Sequence, residues 1–336
     1  MKNIKKSNLL RLLVLLFAIS FIISACRSEK STPEEGKTTP VPTEAVATPA
    51  PEVTDTVEEP SEDPDDDPEE EATEGYLGEI EIDGSYYPLF LYDGVSYYVK
   101  DNCAAATYSI FSDDTSEELT IRSSIEYEGR QYPVESIDDQ TFDSFTLLTG
   151  IALPSTLKKI GAFAFDSCEA LEDIILPDGL EVIGDGAFNE CIALKEISLP
   201  SSIKELGSEI FFNCSSLIKI VLPEGLTAIP NGCFTGCESL TEIEIPSTVT
   251  SIGEETFWYC EALTGMSIPE GVTSIGDRCF YNCFGLTELT LPASLSIIGD
   301  DILDFCDSLT VLNVPKDKVE KYQTTFEGLE LEIKGY

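Results

Sequence analysis

The chain has 336 residues, of which 62 are acidic and 20 are basic, so its formal net charge is −42. A charge of this sign disfavours nucleic acid as a partner, because the phosphates are repelled. The sequence contains no histidine, so acid–base chemistry at neutral pH would have to rely on carboxylates. It also lacks a phosphate loop, a nucleophile elbow and metal-ligand spacings. We therefore predict no enzymatic activity, no cofactor and no metal site.

Residues 1–26 are predicted to be an export signal. A basic stretch precedes the apolar run 12–23, which is shorter than the ~20 residues of a membrane-spanning helix. The run ends in Ser-Ala followed by Cys26, and this ending resembles the lipobox of bacterial lipoproteins. The resemblance implies that the Cys26 thiol is lipidated and becomes the new N-terminus, which would anchor the protein without a spanning helix. The alternative is an ordinary signal peptide in which Cys26 has no role.

Residues 27–74 are predicted to be a disordered tether. The segment is rich in proline, threonine and glutamate, has no aromatic residue and contains the acidic block SEDPDDDPEEE. Such a composition buries too little apolar surface to offset the loss of chain entropy on folding. A solvated spacer is the preferred interpretation, and the alternative is an acidic tail that binds cations or basic partners.

Residues 75–115 are predicted to form a small β cap made of hairpins. Asp83-Gly84 and Asp93-Gly94 separate runs of alternating apolar residues, which is a strong hairpin signal, and Glu128-Gly129 marks a later hairpin. Solenoids close their ends with atypical units of this kind. Five tyrosines of the cap either fill and cover it or form a stacking platform for sugar rings. They are Tyr76, Tyr86, Tyr87, Tyr97 and Tyr98.

Residues 116–316 are predicted to form a solenoid, because the sequence repeats every 23 residues. Proline keeps this period from Pro154 to Pro315, cysteine from Cys168 to Cys306, and phenylalanine from Phe142 to Phe280. A repeat this short cannot bury its own apolar face, so each unit must be one coil stacked on its neighbours. Residues 317–336 are predicted to close the C-terminal end.

Each coil is predicted to contain a short strand followed by a turn. In the coil that begins at Leu171, Ile174 and Leu176 lie on one face of a strand that a proline ends. The later spacing Ala187-Phe188-x-x-Cys191 fits a helical or 3-10 turn with its apolar residues inward. Parallel strands should therefore stack on one side of the solenoid and helical turns on the other.

Two columns of small residues need a physical reason. A glycine column should permit close backbone approach, because Pro230 occupies the same column and cannot adopt a positive φ. The cysteines are interpreted as reduced, buried, apolar side chains. Stacked side chains point the same way instead of towards each other, and the seven cysteines of the column cannot all pair because seven is an odd number. A straight row of thiols also does not resemble a tetrahedral zinc site.

The repeat L-x-x-I-x-L-P-x-x-L-x-x-I-G-x-x-A-F-x-x-C resembles the BspA-like, treponemal-type leucine-rich repeat of bacterial surface proteins, over about residues 131–315. The resemblance implies a leucine-rich-repeat solenoid at a bacterial cell surface, used for adhesion or for binding host or neighbouring-cell proteins. The repeat lacks the asparagine column of better-known leucine-rich repeats, so the turn after the strand should be built differently.

The outward columns of the strand face are the first candidate binding site. The alternation of the strands places these residues on the solvent side. The candidates are Asp173, Ile175, Glu196, Ser198, Lys219, Val221, Glu242, Glu244, Glu288 and Thr290. Within them, Ile175 and Val221 on either side of Ser198 form a possible apolar recognition spot.

An aromatic rim on the turn side is the second candidate site. The two residues between the buried phenylalanine and cysteine of each turn should face outward, and in most coils they are small or polar. In later coils they become Trp258-Tyr259 and Tyr281-Asn282, followed by Phe284. Exposed aromatic area of this kind is typical of contact sites, and the alternative is that the rings cover neighbouring apolar surface.

Three functions follow from these predictions. The first is a lipid-anchored adhesin or receptor in the bacterial cell envelope that binds a protein on another cell or in the matrix. The second is a glycan-binding surface lipoprotein, and the third is a passive envelope spacer. In each case the membrane would be reached only through the lipid on Cys26, and nucleic acid is not a partner.

Overall fold

The computed structural model describes residues 75–107 and 117–336. The predicted export signal, Cys26 and the tether lie outside the described residues, as does the end of the predicted cap. Within the described ranges, no helix combines the length and the apolar character needed to cross a membrane.

Four antiparallel strands form the N-terminal end of the described chain: β1 (Gly75–Ile82), β2 (Ser85–Tyr92), β3 (Val95–Lys100) and β4 (Cys103–Thr107). Asp83 and Asp93 have φ values of 53° and 52° and are each followed by a glycine with positive φ. Two consecutive residues with positive φ define the tight hairpin turn whose twist matches that of the strands. The two predicted hairpins are therefore confirmed.

Three further strands lead into the repeats: β5 (Glu118–Thr120), β6 (Ser124–Tyr127) and β7 (Arg130–Ile137). Strands β6 and β7 form the predicted hairpin at Glu128-Gly129. Strand β7 pairs in parallel with β4 on one side and with the first short strand of the repeats on the other. The hairpins and the first coils thus share one continuous sheet.

The repeats carry two columns of parallel strands related by the 23-residue period. The longer column comprises β8 (Gly150–Ala152), β11 (Glu196–Ser198), β13 (Lys219–Val221), β15 (Glu242–Glu244), β17 (Gly265–Ser267), β19 (Glu288–Thr290) and β21 (Val311–Val314). The second comprises β9 (Lys159–Ile160), β10 (Val182–Ile183), β12 (Glu205–Leu206), β14 (Ala228–Ile229), β16 (Ser251–Ile252), β18 (Ser274–Ile275) and β20 (Ile297–Ile298). The predicted solenoid of stacked parallel strands is confirmed. The second strand column was not predicted.

The core consists of columns of identical buried side chains. Seven phenylalanines from Phe142 to Phe280 stack with neighbouring ring centroids 5.3–6.0 Å apart and ring planes within 20° of parallel. The repeating leucine, isoleucine and cysteine columns lie beside them and are buried. Each coil therefore completes the apolar surface of the next, which is why the period of the sequence is so strict.

The predicted helical or 3-10 turn is not formed. In the coil that contains Phe163, Phe165 and Ser167, these three residues donate their N–H groups at 2.8–2.9 Å to carbonyls of the next coil. Phe163 and Ser167 have φ values of 53° and 55°, and a helix cannot continue through residues in this left-handed region. The same three bonds recur at seven successive seams between coils. We call this arrangement the turn ladder.

One strand prediction also needs correction. Residues 171–176 were predicted to form a strand, and although Ile174 and Leu176 are buried, this segment pairs with neither β8 nor β11. The second strand column is interrupted between β12 and β14, where Pro230 takes the place of a glycine. In other coils that glycine donates its N–H to the preceding coil, for example Gly253 to Ile229 at 2.9 Å. Proline has no N–H to donate, so the hydrogen bonds of the second strand column are interrupted at Pro230.

The glycine column permits close backbone approach, as predicted. A Cβ atom on Gly184 would lie 2.5 Å from the backbone nitrogen of Ala162, and one on Gly207 would lie 2.3 Å from that of Asp185. Neither glycine has a positive φ. Side chains are therefore excluded at this column by the neighbouring coil and not by the local conformation.

The structural repeat is two coils, or 46 residues, because hydrogen bonds alternate between coils. The Asp185 side chain accepts the backbone N–H of Ser208 at 2.7 Å. The same bond is made in every second coil, by the side chains of Asp139, Asn231 and Asp277. In the turn after the proline, coils with a serine or threonine hydroxyl alternate with coils that have glycine. The hydroxyls are those of Thr156, Ser202, Thr248 and Ser294, and the glycines are Gly179, Gly225 and Gly271. The 23-residue reading of the sequence overlooked this alternation.

The chain ends with a 3-10 turn (Lys316–Lys318), the helix α1 (Val319–Thr325) and the strand β22 (Glu332–Gly335). Strand β22 pairs in parallel with β21, so the helix returns the chain to the edge of the last sheet, where β22 adds one more strand. Tyr322 of α1 is fully buried against the last coil.

Candidate binding surfaces

The structure brings six of the predicted strand-face residues together on one three-stranded sheet. In the register of β11, β13 and β15, Glu196, Lys219 and Glu242 form one row. Ser198, Val221 and Glu244 form the parallel row. The isoleucines between these rows point into the core, and the six residues are exposed or half-buried. We call these six residues the strand-face patch.

The remaining four strand-face candidates lie outside this sheet. Asp173 and Ile175 are exposed but belong to the segment without strand pairing, where Ile175 has 85% of its surface accessible. Glu288 and Thr290 lie on β19, which belongs to the separate sheet β17-β19-β21-β22. There Asn313 donates to the Glu288 carboxylate at 2.5 Å. The predicted columns are therefore divided into separate surfaces.

The strand-face patch is acidic and contains one basic side chain. Lys219 lies between Glu196 and Glu242, and its Nζ is 3.0 Å from the Glu242 carboxylate. The hydrogen bond from Lys219 and the attraction of the Glu242 charge raise the pKa of Lys219. With this lysine paired, the outward charges of the other residues are all negative, and Val221 supplies exposed apolar surface.

The aromatic rim forms a continuous cluster that includes one residue the sequence reasoning missed. Ring centroids are 6.0 Å apart for Trp258 and Tyr259, 5.6 Å for Trp258 and Tyr281, and 6.2 Å for Tyr259 and Phe284. Phe305 joins the cluster with its ring 5.0 Å from that of Tyr281. We call these five residues the aromatic patch. Phe305 occupies the same repeat position as Tyr259, so an alignment of the repeats would have identified it as part of the patch.

The expectation that both turn residues face outward is only partly correct. Trp258 and Tyr281 are half-buried, and Thr235 and Asn282 are buried. Tyr259, Phe284 and Phe305 keep 40%, 37% and 55% of their surface exposed. The exposed rings therefore lie over a base made by Trp258 and Tyr281.

The tyrosines of the N-terminal hairpins do not form one platform. Tyr97 and Tyr98 are buried, and the Tyr97 hydroxyl accepts the backbone N–H of Arg122. Tyr76 and Tyr86 are exposed, but Tyr76 stacks on Tyr127 at 6.1 Å. These contacts favour the alternative that the tyrosines pack the hairpins.

A groove of about 690 Å³ lies where the hairpins meet the first coil. Arg122 is the basic group in its lining, and its guanidinium stacks over the Tyr92 ring at 4.2 Å and pairs with Asp93 at 2.9 Å. Its charge and its planar face are thus both engaged by the protein. No grouping of acidic, cysteine or histidine side chains suited to a metal ion occurs in residues 75–107 and 117–336.

Each cysteine of the main column donates its thiol hydrogen to a phenylalanine carbonyl of the preceding coil. The Sγ–O distances run from 3.0 to 3.3 Å, as for Cys191 and Phe165 at 3.2 Å and Cys214 and Phe188 at 3.1 Å. Burial raises the pKa of Cys168, Cys214 and Cys260 strongly, whereas the hydrogen bond with Cys283 lowers the pKa of Cys306 at the end of the column. This geometry supports the interpretation that the column is structural.

A solenoid of short parallel strands with leucine and isoleucine columns in its core defines a leucine-rich repeat protein. A family model described as the BspA type leucine rich repeat region matches the chain in six copies, over residues 107–237, 135–264 and 227–333. The chain therefore belongs to the BspA-type leucine-rich repeat family. Comparison with curated proteins gives no match.

Several solved structures are similar to this chain. The leucine-rich repeat protein TpLRR of T. pallidum is 26% identical, with a TM-score of 0.47 over 71% of this chain and 96% of that chain. A leucine-rich repeat protein of Bacteroides ovatus is 22% identical, with a TM-score of 0.39 over 74% and 99%. A leucine rich cell surface protein of Faecalibacterium prausnitzii is 19% identical, with a TM-score of 0.28 over 67% and 94%.

Proposed function

We propose that the chain is a lipid-anchored protein of a bacterial cell surface that binds a protein on a host cell, a neighbouring cell or the matrix. The observation that carries this proposal is the strand-face patch, in which six outward side chains are free of core packing on a regular parallel sheet. Such a surface can vary in sequence without loss of the fold, which is how repeat scaffolds acquire partners. Membership of the leucine-rich repeat family supports a protein as the ligand.

Charge reversal on the strand-face patch tests this function. We expect Glu242→Lys with Glu244→Lys to weaken binding to the captured surface protein by more than tenfold, or about 1.4 kcal/mol. A matched control is Asp178→Lys with Glu224→Lys, which changes the charge equally at exposed turn residues. Dissociation constants from biolayer interferometry would compare the variants. Equal affinities for both double variants would contradict the assignment of the patch.

Anchoring is tested separately at Cys26. Because two acyl chains suffice for stable membrane attachment, Cys26→Ala should release the protein from the membrane fraction or leave it unprocessed. Fractionation followed by mass spectrometry of the N-terminus would measure this. A processed Cys26→Ala protein that stays with the membrane would exclude the lipid anchor.

A further inference from the structure

The aromatic patch contains residues whose identity the fold does not require. Tyr259 and Phe305 have φ values of 61° and 60°, a conformation that is unfavourable for bulky side chains. The equivalent positions of other coils hold Ser167, Glu190, Asn213 and Gly236, with similar φ values. Asparagine or glycine would serve the turn ladder better, so these two rings are retained against the preference of the backbone.

The identity of Trp258 is likewise not required by the fold, as its indole nitrogen shows. Its indole nitrogen is buried and has no hydrogen-bond partner among the described residues. An unsatisfied buried donor costs about 1–3 kcal/mol, and a phenylalanine would be aromatic without that loss. Trp258 is also the single tryptophan of the chain. Packing alone therefore does not account for the choice of side chain at this position.

The surroundings of the aromatic patch are strongly acidic. Between residues 231 and 315 the sequence has thirteen acidic residues and one basic residue, Arg278. That arginine is paired with Glu255, with Nε 2.9 Å from the carboxylate. The 23-residue register places Phe284 between the exposed residues Glu261 and Asp307 of the adjacent coils. Asp304 accepts the N–H of Asn282 through its backbone carbonyl at 3.0 Å and occupies the position in the next coil equivalent to Tyr281.

We propose that the aromatic patch binds arginine side chains of a positively charged protein segment. The inference rests on the proposed function only in taking a protein as the partner. Aromatic faces attract cations, and guanidinium groups stack on them with little loss of hydration. The excess of carboxylates in these coils adds long-range attraction for the same ligand and disfavours acidic ones. The exposed rings and the uncompensated negative charge thus both favour a guanidinium group as the ligand.

The single tryptophan makes the test direct. We expect a hexa-arginine peptide, titrated into the full chain, to change the fluorescence of Trp258 saturably. Hexalysine should bind at least threefold more weakly, because its ammonium groups do not stack. A hexamer of citrulline, which has the shape of arginine without the charge, should give no change. Equal responses to arginine and citrulline would exclude a cation site.

Variants that keep the charge constant separate stacking from general attraction to an acidic protein. We expect Tyr259→Asn with Phe305→Asn to weaken hexa-arginine binding at least tenfold while leaving the melting temperature unchanged or higher, because asparagine accepts a positive φ. The matched control is Tyr86→Ala, at a tyrosine with 64% of its surface exposed on the hairpins, which should leave the affinity unchanged. Calorimetry would confirm the affinities without relying on fluorescence. Retained affinity in the asparagine variant would overturn the proposal.

Two other outcomes would also overturn it. Binding of a neutral hexasaccharide that depends on Tyr259 and Phe305, without an arginine response, would identify a glycan platform. A dimer in sedimentation analysis that the double asparagine variant abolishes would identify a self-association surface. Because these measurements need no natural partner, their failure is distinct from failure of the strand-face patch, which is judged by capture of that partner.

Discussion

At the scale of single residues, the cysteine column is a set of hydrogen-bond donors as well as a set of small buried side chains. Each thiol reaches the carbonyl of a phenylalanine one coil earlier, in the interior of the solenoid. Without the thiol that carbonyl keeps only the backbone N–H of its own turn, as Phe188 keeps that of Cys191 at 3.3 Å, and it loses one hydrogen bond worth about 0.5–1.5 kcal/mol. Alanine would fit the space but would not supply the donor.

We therefore expect Cys214→Ala to lower the free energy of unfolding more than Cys233→Ala does, by about 1 kcal/mol. Both thiols are buried, and both substitutions remove one sulfur atom. Cys233 belongs to the other column, and within the described part of the chain its thiol donates to no phenylalanine carbonyl. Urea denaturation of the two variants measures the difference. Equal losses of stability would show that volume alone explains the column.

The thiols are also expected to be reduced and unreactive in the native protein. Burial raises the pKa of Cys233 to about 12, so thiolate is scarce at neutral pH. Alkylation at pH 8 should spare the buried cysteines until the protein is unfolded, except Cys306, whose pKa is lowered by its hydrogen bond with Cys283. Mass spectrometry of the alkylated, unfolded chain should then count ten free cysteines in residues 75–336. Two or more disulfides within the column would contradict this prediction.

Asp166 provides a prediction on pH dependence. Its Oδ1 atom is buried without a hydrogen-bond partner among the described residues. Burial, with repulsion from Asp143 and Glu190, raises its pKa from 3.8 to about 6. The folded state therefore holds the proton more tightly than the unfolded state, and this group lowers stability progressively as the pH rises from about 4 to 6.

Asp166→Asn should accordingly raise the melting temperature at pH 7.5 and have much less effect at pH 3.5, where Asp166 is mostly protonated in both states. The exposed residue Asp178 provides the control, since Asp178→Asn should change stability little at either pH. Calorimetric scans at the two pH values would measure both variants. A stabilisation of equal size at pH 3.5 would rule out the ionisation of Asp166 as its cause.

At the scale of elements, the turn ladder is the most continuous hydrogen-bonded feature of the repeats. It is unbroken across seven seams, whereas both strand columns are interrupted. The period of proline, leucine and phenylalanine predicted the coil and its register correctly, because burial ties each of these residues to one column. It could not predict the turn conformation. The spacing of Phe188 and Cys191 is compatible with a helix, and Glu190 gives no sign that it has a positive φ.

The candidate sites show the same limit. The sequence identified the outward columns of the strand face because alternation in a strand is independent of its pairing. It could not show that Ile175 lies in an unpaired segment, since residues 171–176 have the same apolar pattern as the paired strands. Trp258 stood out as a departure from its column. Phe305 did not, because Asp304 before it is polar and typical.

The break at Pro230 predicts a local difference in hydrogen exchange. Thr250 donates its N–H to Thr227 at 2.8 Å, and Thr273 donates to Thr250 at 2.8 Å. Thr227 itself has no such bond to the preceding coil in the described chain. Its amide should exchange at least tenfold faster than those of Thr250 and Thr273, which serve as internal controls at equivalent positions. Equal protection of the three amides would mean that the second strand column is continuous in solution.

At the scale of the whole molecule, the alternation of coils sets the unit by which the array can be shortened. Gly271 stacks on the preceding coil, where a Cβ atom would lie 2.7 Å from the Ser247 carbonyl oxygen. A side chain at Gly271 would therefore collide with the coil that carries Thr248, whereas the equivalent Gly225 has open space around it and a φ of 109°. Neighbouring coils differ, and coils two apart are interchangeable.

Deletion of residues 200–245 should therefore be tolerated better than deletion of residues 223–245, although it removes twice as many residues. The longer deletion restores the alternation at the new seam and lets Asp185 accept the N–H of Glu254. The shorter one stacks Thr248 on Ser202, so two coils with hydroxyl side chains become neighbours. Both remove Pro230, so the interrupted seam does not distinguish them. Thermal unfolding would compare the two proteins, and a lower melting temperature for the longer deletion would refute a two-coil unit.

The left-handed positions of the turn ladder also have an evolutionary consequence. Each coil has two of them, and they hold residues as different as Phe163, Gly186, Glu209 and Tyr259. Selection for stability alone would carry these positions towards glycine or asparagine over time. A bulky side chain that persists there marks selection for something other than folding. In duplicated arrays of this kind, such positions would record which coils have acquired a partner and which remain spacers.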